Sequence, residues 1–342
     1  MTFKRIGIWQ TAFLGDAVLT LPLLQTIARS FPDSEIYFFV RGGLKSLFEA
    51  NLRYHVVEFD KSGRDKGMAG IFKIIATIRQ LDFDLWLCPH TSLRSALICS
   101  GSRAKTRIGY NHPWHSIISC TETVPRLFND LEEIERILQL LGPLHIDSRE
   151  TWPAIVLPGQ ARDKAAHFWE QNIRGKTLGI HPGSTWPTKQ WPRHNFARVI
   201  EMARELPETT VIIFAGPGEE DIALNITGRL NNTHRIINLA GRLSLPELAA
   251  YLGKLDCFLT NDSGPMHLAW PQNTPTIALF GPTTKSLGFF PRGEKATVLE
   301  TDISCRPCGL HGHNSCPEKH HKCMTEILPE TVMAKIREKL HG

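Results

Sequence analysis

An aspartate and a lysine, far apart in the chain, sit where working groups sit. Asp16 lies in FLGDAVLTLP, directly after the apolar run FKRIGIWQ. A carboxylate at such a turn can cap the helix that starts at Ala17. It can also serve as a general base, if an acceptor hydroxyl comes within hydrogen-bond reach. Spacing alone favours the cap. Lys189 lies in HPGSTWPTKQWP, a stiff loop that offers Ser184, Thr185, Thr188 and Lys189. Lysine is a compact point charge suited to a diphosphate. The plainer reading is a surface loop whose tryptophans pack on a sheet.

Three further turns carry related groups. In LTNDSGPMHLAW, Asp262, Ser263 and Gly264 open a helix. Free backbone N–H groups and the helix dipole can hold a phosphate there, and glycine permits close approach. His267 follows Ser263 by one turn, on the same face. An ordinary N-cap and a core histidine are the competing reading. FAGPGEED presents Glu219 and Glu220, suited to ribose hydroxyls or to stabilising a first turn. LFGPTTK presents Gly281, Thr283 and a lysine. The chemistry these turns share is the holding of a phosphorylated nucleoside.

Such turns must be placed by strands. RIGIWQ, EIYFFV, VVEF, DLWLCP and KTRIGY read as strands in the first half. DAVLTLPLLQTIARS and GIFKIIATIRQL read as helices between them. The second half repeats the scheme with strands TLGIHPG, TVIIFAG, DCFLTN and TPTIALFG. Its helices are HNFARVIEMARELP, EEDIALNITGRLN and LSLPELAAYLGKL. Near-continuous apolar strands alternating with helices predict parallel sheets covered on both faces. The fold class is therefore α/β, with two doubly wound domains over residues 1–150 and 151–328. The segment LGPLHIDSRETWPAIVLPG reads as the linker, and the helix within 329–342 is expected to pack back on the first domain. Ligands of such sheets bind beyond the C-terminal strand ends.

The 342 residues, 42% hydrophobic and 21% charged, fit two ordinary cores. No apolar run reaches the ~18 residues of a membrane span. The opening MTFKRIGIW lacks a signal-peptide h-region, so the cytoplasm is expected. A net charge of +5 suits an anionic substrate or an anionic membrane surface. Nucleic acid is not expected, because no zinc-finger or basic aromatic signature is present. The dinucleotide fingerprint and the P-loop are also missing, which disfavours nicotinamide chemistry. Near the C-terminus, Cys305, Cys308, Cys316 and Cys323 lie among four histidines. Only half of this pattern has zinc-ligand spacing, so a structural zinc competes with reduced thiols packing a loop.

Taken in order, GDAVLTLPLL, HPGSTWPTKQWP, AGPGEED, NLAGRLSLPEL, TNDSGPMHLA and TPTIALFGPTT resemble the ADP-heptose:lipopolysaccharide heptosyltransferases of glycosyltransferase family 9. The resemblance covers nearly the whole chain, and the cysteine-rich tail is typical of part of the family. It implies a GT-B fold, two Rossmann-like domains facing across a cleft. It implies inverting transfer of heptose from ADP-heptose to the inner-core oligosaccharide of lipopolysaccharide. Lys189 would face the diphosphate; Ser263, Gly264 and His267 the phosphate and sugar; Glu219 or Glu220 the nucleoside. Asp262 would fix the loop or touch the sugar, and Asp16 becomes the base, with no metal or cofactor required. Acceptor candidates are Gly15, Arg41, Lys61, Arg64, Lys66, Arg94, Lys105 and Arg107. The expected setting is a monomer at the inner face of the inner membrane. A non-catalytic sugar-nucleotide binder is the competing class, as is another family 9 sugar or acceptor. AWPQNTP departs from the family: Asn273 stands where relatives have glycine, and asparagine tolerates the left-handed turn required there.

Overall fold

A computed structural model describes residues 2–341. The chain divides into two units between Val156 and Leu157. The first holds β1 (Arg5–Gln10), β2 (Glu35–Arg41), β3 (Tyr54–Phe59), β4 (Leu85–Leu87), β5 (Thr106–Tyr110) and β6 (Glu122–Val124). Their order in the sheet is β3-β2-β1-β4-β5-β6. The second holds β7 (Lys176–His181), β8 (Thr209–Ile213), β9 (Ile236–Asn238), β10 (Cys257–Asn261), β11 (Thr276–Phe280) and β12 (Ala296–Glu300), ordered β12-β11-β10-β7-β8-β9. Counted within its own unit, each sheet follows the same doubly wound plan. Each switches direction between its first and fourth strands. The ladders are parallel, and the central strands are buried along their length. Helices on both faces account for that burial.

Two tryptophans organise the first core. Trp9 on β1 stacks on Trp86 of β4, with ring centroids 6.1 Å apart, and touches Phe39 and Phe59. Gly7 makes room for this: a Cβ there would lie 2.4 Å from the Trp86 ring. The indole N–H of Trp9 donates to Ser95 Oγ at 3.0 Å, so its one polar atom is satisfied inside.

The single helix expected over residues 16–30 is two, Leu14–Leu19 and Leu21–Ser30. Pro22 has no N–H for the ladder and crowds the preceding turn. The Thr20 hydroxyl donates to Asp16 O at 2.8 Å at the same break. Elements the sequence did not signal are short or weakly amphipathic. β6 and β9 span three residues each, and helix Gly159–Asn172 buries only Ala161 and Ala165.

The linker is anchored on the first unit. Gln25 Nε2 donates to Trp152 O and Gln25 Oε1 accepts from Ala154 N, at 3.1 and 2.9 Å. Arg29 pairs with Glu150 at 2.5 Å. The expectation for the C-terminal helix is corrected. Helix Pro329–His341 buries Val332, Met333, Ile336 and Leu340 in the core of the second unit, against helix Arg193–Arg204 and strands β10 and β11. Its apolar stripe at positions 332, 333, 336 and 340 fits this site, and Trp191 Nε1 donates to Ile327 O just before it. Ile336→Ala should cost about 2–5 kcal/mol. Amide exchange should then quicken in β10 and β11 and stay unchanged in β1 and β2; unchanged exchange in β10 would refute this packing.

Candidate active site

In the second sheet the switch point lies between β7 and β10, which are hydrogen-bonded neighbours. Asn261 ends β10. Its Nδ2 donates to Pro182 O at 2.7 Å, and its Oδ1 accepts from Trp191 N at 3.0 Å. One buried amide thus pins both ends of the loop that leaves β7. Within that loop Lys189 Nζ reaches Asp262 Oδ2 at 2.5 Å, and Thr283 Oγ1, beyond β11, donates to the same oxygen at 2.6 Å. All three side chains are buried or nearly so. Lys189 has three donors and gives one of them to Asp262. His267 lies beside them. Burial pushes its imidazole down to about 4, and Trp270 Nε1 donates to its Nδ1 at 3.5 Å, so it is neutral at pH 7.

The remaining expected donor residues fall into two groups. Ser263 and Gly264 are half-buried at the start of helix Gly264–Ala269, with Ser263 Oγ 3.2 Å from Thr260 Oγ1. Thr185 is exposed at the loop tip, while Ser184 is buried and its carbonyl accepts from Gln190. Glu219 Oε2 accepts from Gly216 N at 2.9 Å and lies 3.8 Å from His181 Nε2. It also closes on Gly183, where a Cβ would sit 2.5 Å from that oxygen. Glu220 is exposed and leans on Gly241. Asn273 adopts φ 60°, the left-handed turn expected where relatives carry glycine.

The cysteine-rich tail engages two of the expected donor residues. Thr188 is clasped by it: its hydroxyl donates to His313 O at 2.9 Å and accepts from His313 N at 2.7 Å. His321 Nε2 donates to Thr188 O at 2.7 Å. That hydroxyl is therefore committed inside the protein. Gly281 faces Met324, whose sulfur would be 2.5 Å from a Cβ there, and its carbonyl accepts from Arg306. Of the two readings open for the tail, the structural zinc is not supported. Among the described residues no three His, Cys, Asp or Glu side chains gather as metal ligands. Cys308 Sγ donates to Cys305 O, and Cys316 Sγ accepts from His321 N. Cys323 is buried in the core. All four are free thiols in the structure.

In the first sheet the switch point lies between β1 and β4. Asp16 is not the N-cap. Phe13 is, and Asp16 is the third residue of helix Leu14–Leu19, with Oδ2 accepting from Phe13 N at 3.0 Å. One oxygen holds the helix start, so a capping role and a chemical role can coexist. Burial and the nearby Glu133 carboxylate push the Asp16 carboxyl up to about 6, against the Phe13 N–H and Arg126. Gly15 beside it is buried.

Lys61 and Arg126 act on this carboxyl. Lys61 Nζ donates to Thr11 O at 2.8 Å, and burial beside Arg41 and Arg94 lowers its pKa. The Arg41 guanidinium lies 5.1 Å above the Phe13 ring. Arg64 is exposed and pairs with Asp65 at 3.3 Å, and Lys66 is exposed. Arg107 is a correction: it lies at the N-terminal end of β5, away from Asp16, with Nε on Ser119 O and a terminal nitrogen on Ala104 O. Lys105 precedes the same strand end. Four neighbours carried no local signal. His90, after β4, contacts Thr11 Oγ1 at 3.3 Å and Ser95 Oγ at 3.1 Å, and burial lowers it to about 4. Arg126 and Arg136 grip the buried Glu133 at 2.8 and 2.7 Å.

Two outcomes follow from these environments. Replacing Lys189 by Met leaves Asp262 buried with Thr283 alone, so Lys189→Met should cost about 3–5 kcal/mol in denaturant unfolding. The double variant Lys189→Met/Asp262→Leu should recover much of that. For Asp16 the folded chain holds the proton more tightly than the unfolded chain, about 6 against 3.8. Stability therefore falls as pH rises from about 4 to about 6, and the penalty persists above. Asp16→Asn should melt higher than wild type near pH 8 and level with it below about pH 4; an equal Tm at both would remove the case for an unfavourably placed carboxylate.

The model of the glycosyltransferase family 9 (heptosyltransferase) family matches residues 71–320. Over 98% of both chains, the sequence is 25% identical to a Campylobacter jejuni lipooligosaccharide heptosyltransferase 2. A solved family 9 glycosyltransferase from Veillonella parvula superposes with TM-score 0.85 at 23% identity, covering 99% of this chain and 98% of the other. Heptosyltransferase II from E. coli superposes with TM-score 0.79 at 20% identity, covering 98% of each. The fold is GT-B. With strand-end loops in both sheets and a family match across 71–320, this chain belongs to glycosyltransferase family 9.

Proposed function

We propose that this chain is an inverting heptosyltransferase of lipopolysaccharide core synthesis. It moves heptose from ADP-heptose to the inner-core oligosaccharide, with heptose I as acceptor, as in heptosyltransferase II. The observation that carries the reading is the Asp16 carboxyl, half-buried at a strand-end switch point, raised to about 6 by burial and Glu133, with Lys61 and Arg126 acting on it. A group with that pKa is largely ionised at pH 7 and basic enough to accept a proton. The acceptor hydroxyl attacks the anomeric carbon as the bond to the diphosphate breaks. Asp16 takes the hydroxyl proton, and the diphosphate leaves as ADP. The donors of Lys189 not given to Asp262, with the backbone at Ser263–Gly264, receive the charge that develops. Protein donors thereby take the place a divalent cation fills in metal-dependent transfer. The cations around Asp16 bind the acidic sugars and phosphates of the acceptor. The enzyme works as a monomer at the inner face of the inner membrane, where its lipid-borne acceptor lies.

Transfer assays with ADP-heptose and cores truncated at successive sugars test this. Only the core ending in one heptose should react, and kcat/KM should rise with pH through about 6. Asp16→Asn should retain ADP-heptose binding and lose at least about a hundredfold in kcat, the usual worth of a positioned base. Full turnover in that variant would overturn the base assignment.

A further inference from the structure

Helices Gly67–Leu81, Leu93–Ser102 and Trp114–Ser119 lie side by side on the first unit. Ile75 and Arg79 of the first meet Gly101 of the second, and Cys99 of the second meets Ser119 of the third. Their outward positions are not those of an ordinary solvated helix layer. Trp114 is 66% exposed, Ile118 72% and Phe72 64%, with Leu93, Leu97 and Ile117 also in solvent. Leu93 and Leu97 are one turn apart, as are Trp114 and Ile118, so each helix presents a stripe. Isolated exposed apolar residues need no explanation, but a cluster of this kind marks an interaction surface.

The charges name the partner. The three helices carry Lys73, Arg79 and Arg94 and no Asp or Glu. Lys66 precedes the first of them and Arg103 follows the second, both exposed. Exposed Asp82 follows the first helix, so cations outnumber a single carboxylate around these apolar side chains. That balance matches an anionic bilayer, where the apolar groups enter the headgroup boundary and the cations meet lipid phosphates. The face also ends where it is useful. Leu93, Arg94 and Trp114 begin helices that leave the C-terminal ends of β4 and β5, the end of the sheet that carries Asp16.

We infer that this helical face seats the enzyme on an anionic lipid surface and brings the sugars of a lipid-anchored acceptor to the Asp16 end of the first sheet. The inference rests on the proposed reaction only for the identity of that acceptor; the docking itself does not. The test is cosedimentation of the full chain with phosphatidylcholine vesicles, with and without about 30 mol% phosphatidylglycerol. Wild type should bind the anionic vesicles, and less well in high salt. Trp114→Ser/Ile118→Asp should bind at least about tenfold more weakly, since it removes two buried anchors. Phe72→Ser, on the neighbouring helix, should weaken binding in the same direction. Transfer to a soluble, delipidated core oligosaccharide should be unchanged in both, which also reports that they are folded. Equal vesicle binding by wild type and variants would overturn the inference. So would a wild-type dimer that the variants convert to monomer, since the face would then be a self-interface. If the proposed reaction itself is wrong, no protein transfers heptose while the loss of vesicle binding is still read.

Discussion

The ion pair between Lys189 and Asp262 is the constraint around which the second unit is arranged. Two buried charges are tolerated only when each is compensated, and removing one partner is far costlier than keeping both. Asp262 receives Lys189 from one loop and Thr283 from another, so three strand-end turns converge on one carboxylate oxygen. The lysine must then be held where it can reach. The amide of Asn261 pins its loop at both ends, and the tail clasps Thr188, the residue before it. Arg306, also in the tail, donates to the carbonyls of Phe280, Gly281 and Thr283 and fixes the second turn. The segment from Cys305 to Cys323 is therefore a brace behind the site, built from backbone and imidazole hydrogen bonds.

The two sheets share a topology and use their switch points in opposite ways. In the second, a carboxylate is neutralised by a lysine, and the neighbouring histidine is kept neutral by burial. In the first, no lysine or arginine among the described residues hydrogen-bonds to the Asp16 carboxyl, and burial with the Glu133 carboxylate holds its proton to about pH 6. Lys61 and Arg126 act on it, with Lys61 turned to Thr11 O. Environment, more than residue type, sets the two carboxylates apart: one is ion-paired and the other is raised to about 6.

Much of this was legible along the chain because apolar strand runs end at turns, and turns carry polar residues. β1, β7, β10 and β11 and their exit loops could be read that way. What could not be read depended on partners distant in sequence. Thr188 looks like a phosphate ligand until His313 is seen on its hydroxyl. Arg107 looks like a free cation until its contacts with Ala104 and Ser119 are seen. The C-terminal helix has an apolar stripe, but nothing in the stripe says which core it fills. Asp16 was read one turn too early because Phe13 is a poor cap by type, yet the carboxylate at the third position satisfies its N–H from within the helix. His90, Arg126 and Glu133 lie in segments with no spacing pattern, and only the sheet order brings them beside Asp16.

The pairing of Lys189 also bears on how a diphosphate would be received. An isolated lysine would attract the anion from a distance, but it would hold water or counter-ions when the site is empty. A buried Asp262 alone would repel the anion. The pair carries no net charge, so the field at Ser263–Gly264 comes chiefly from backbone N–H groups and from the lysine donors left over. Donors already fixed in place need no reorganisation when charge develops on a leaving group, and such preorganisation is the larger part of electrostatic catalysis. On the proposed reaction, the carboxylate that neutralises Lys189 is also what holds it in position.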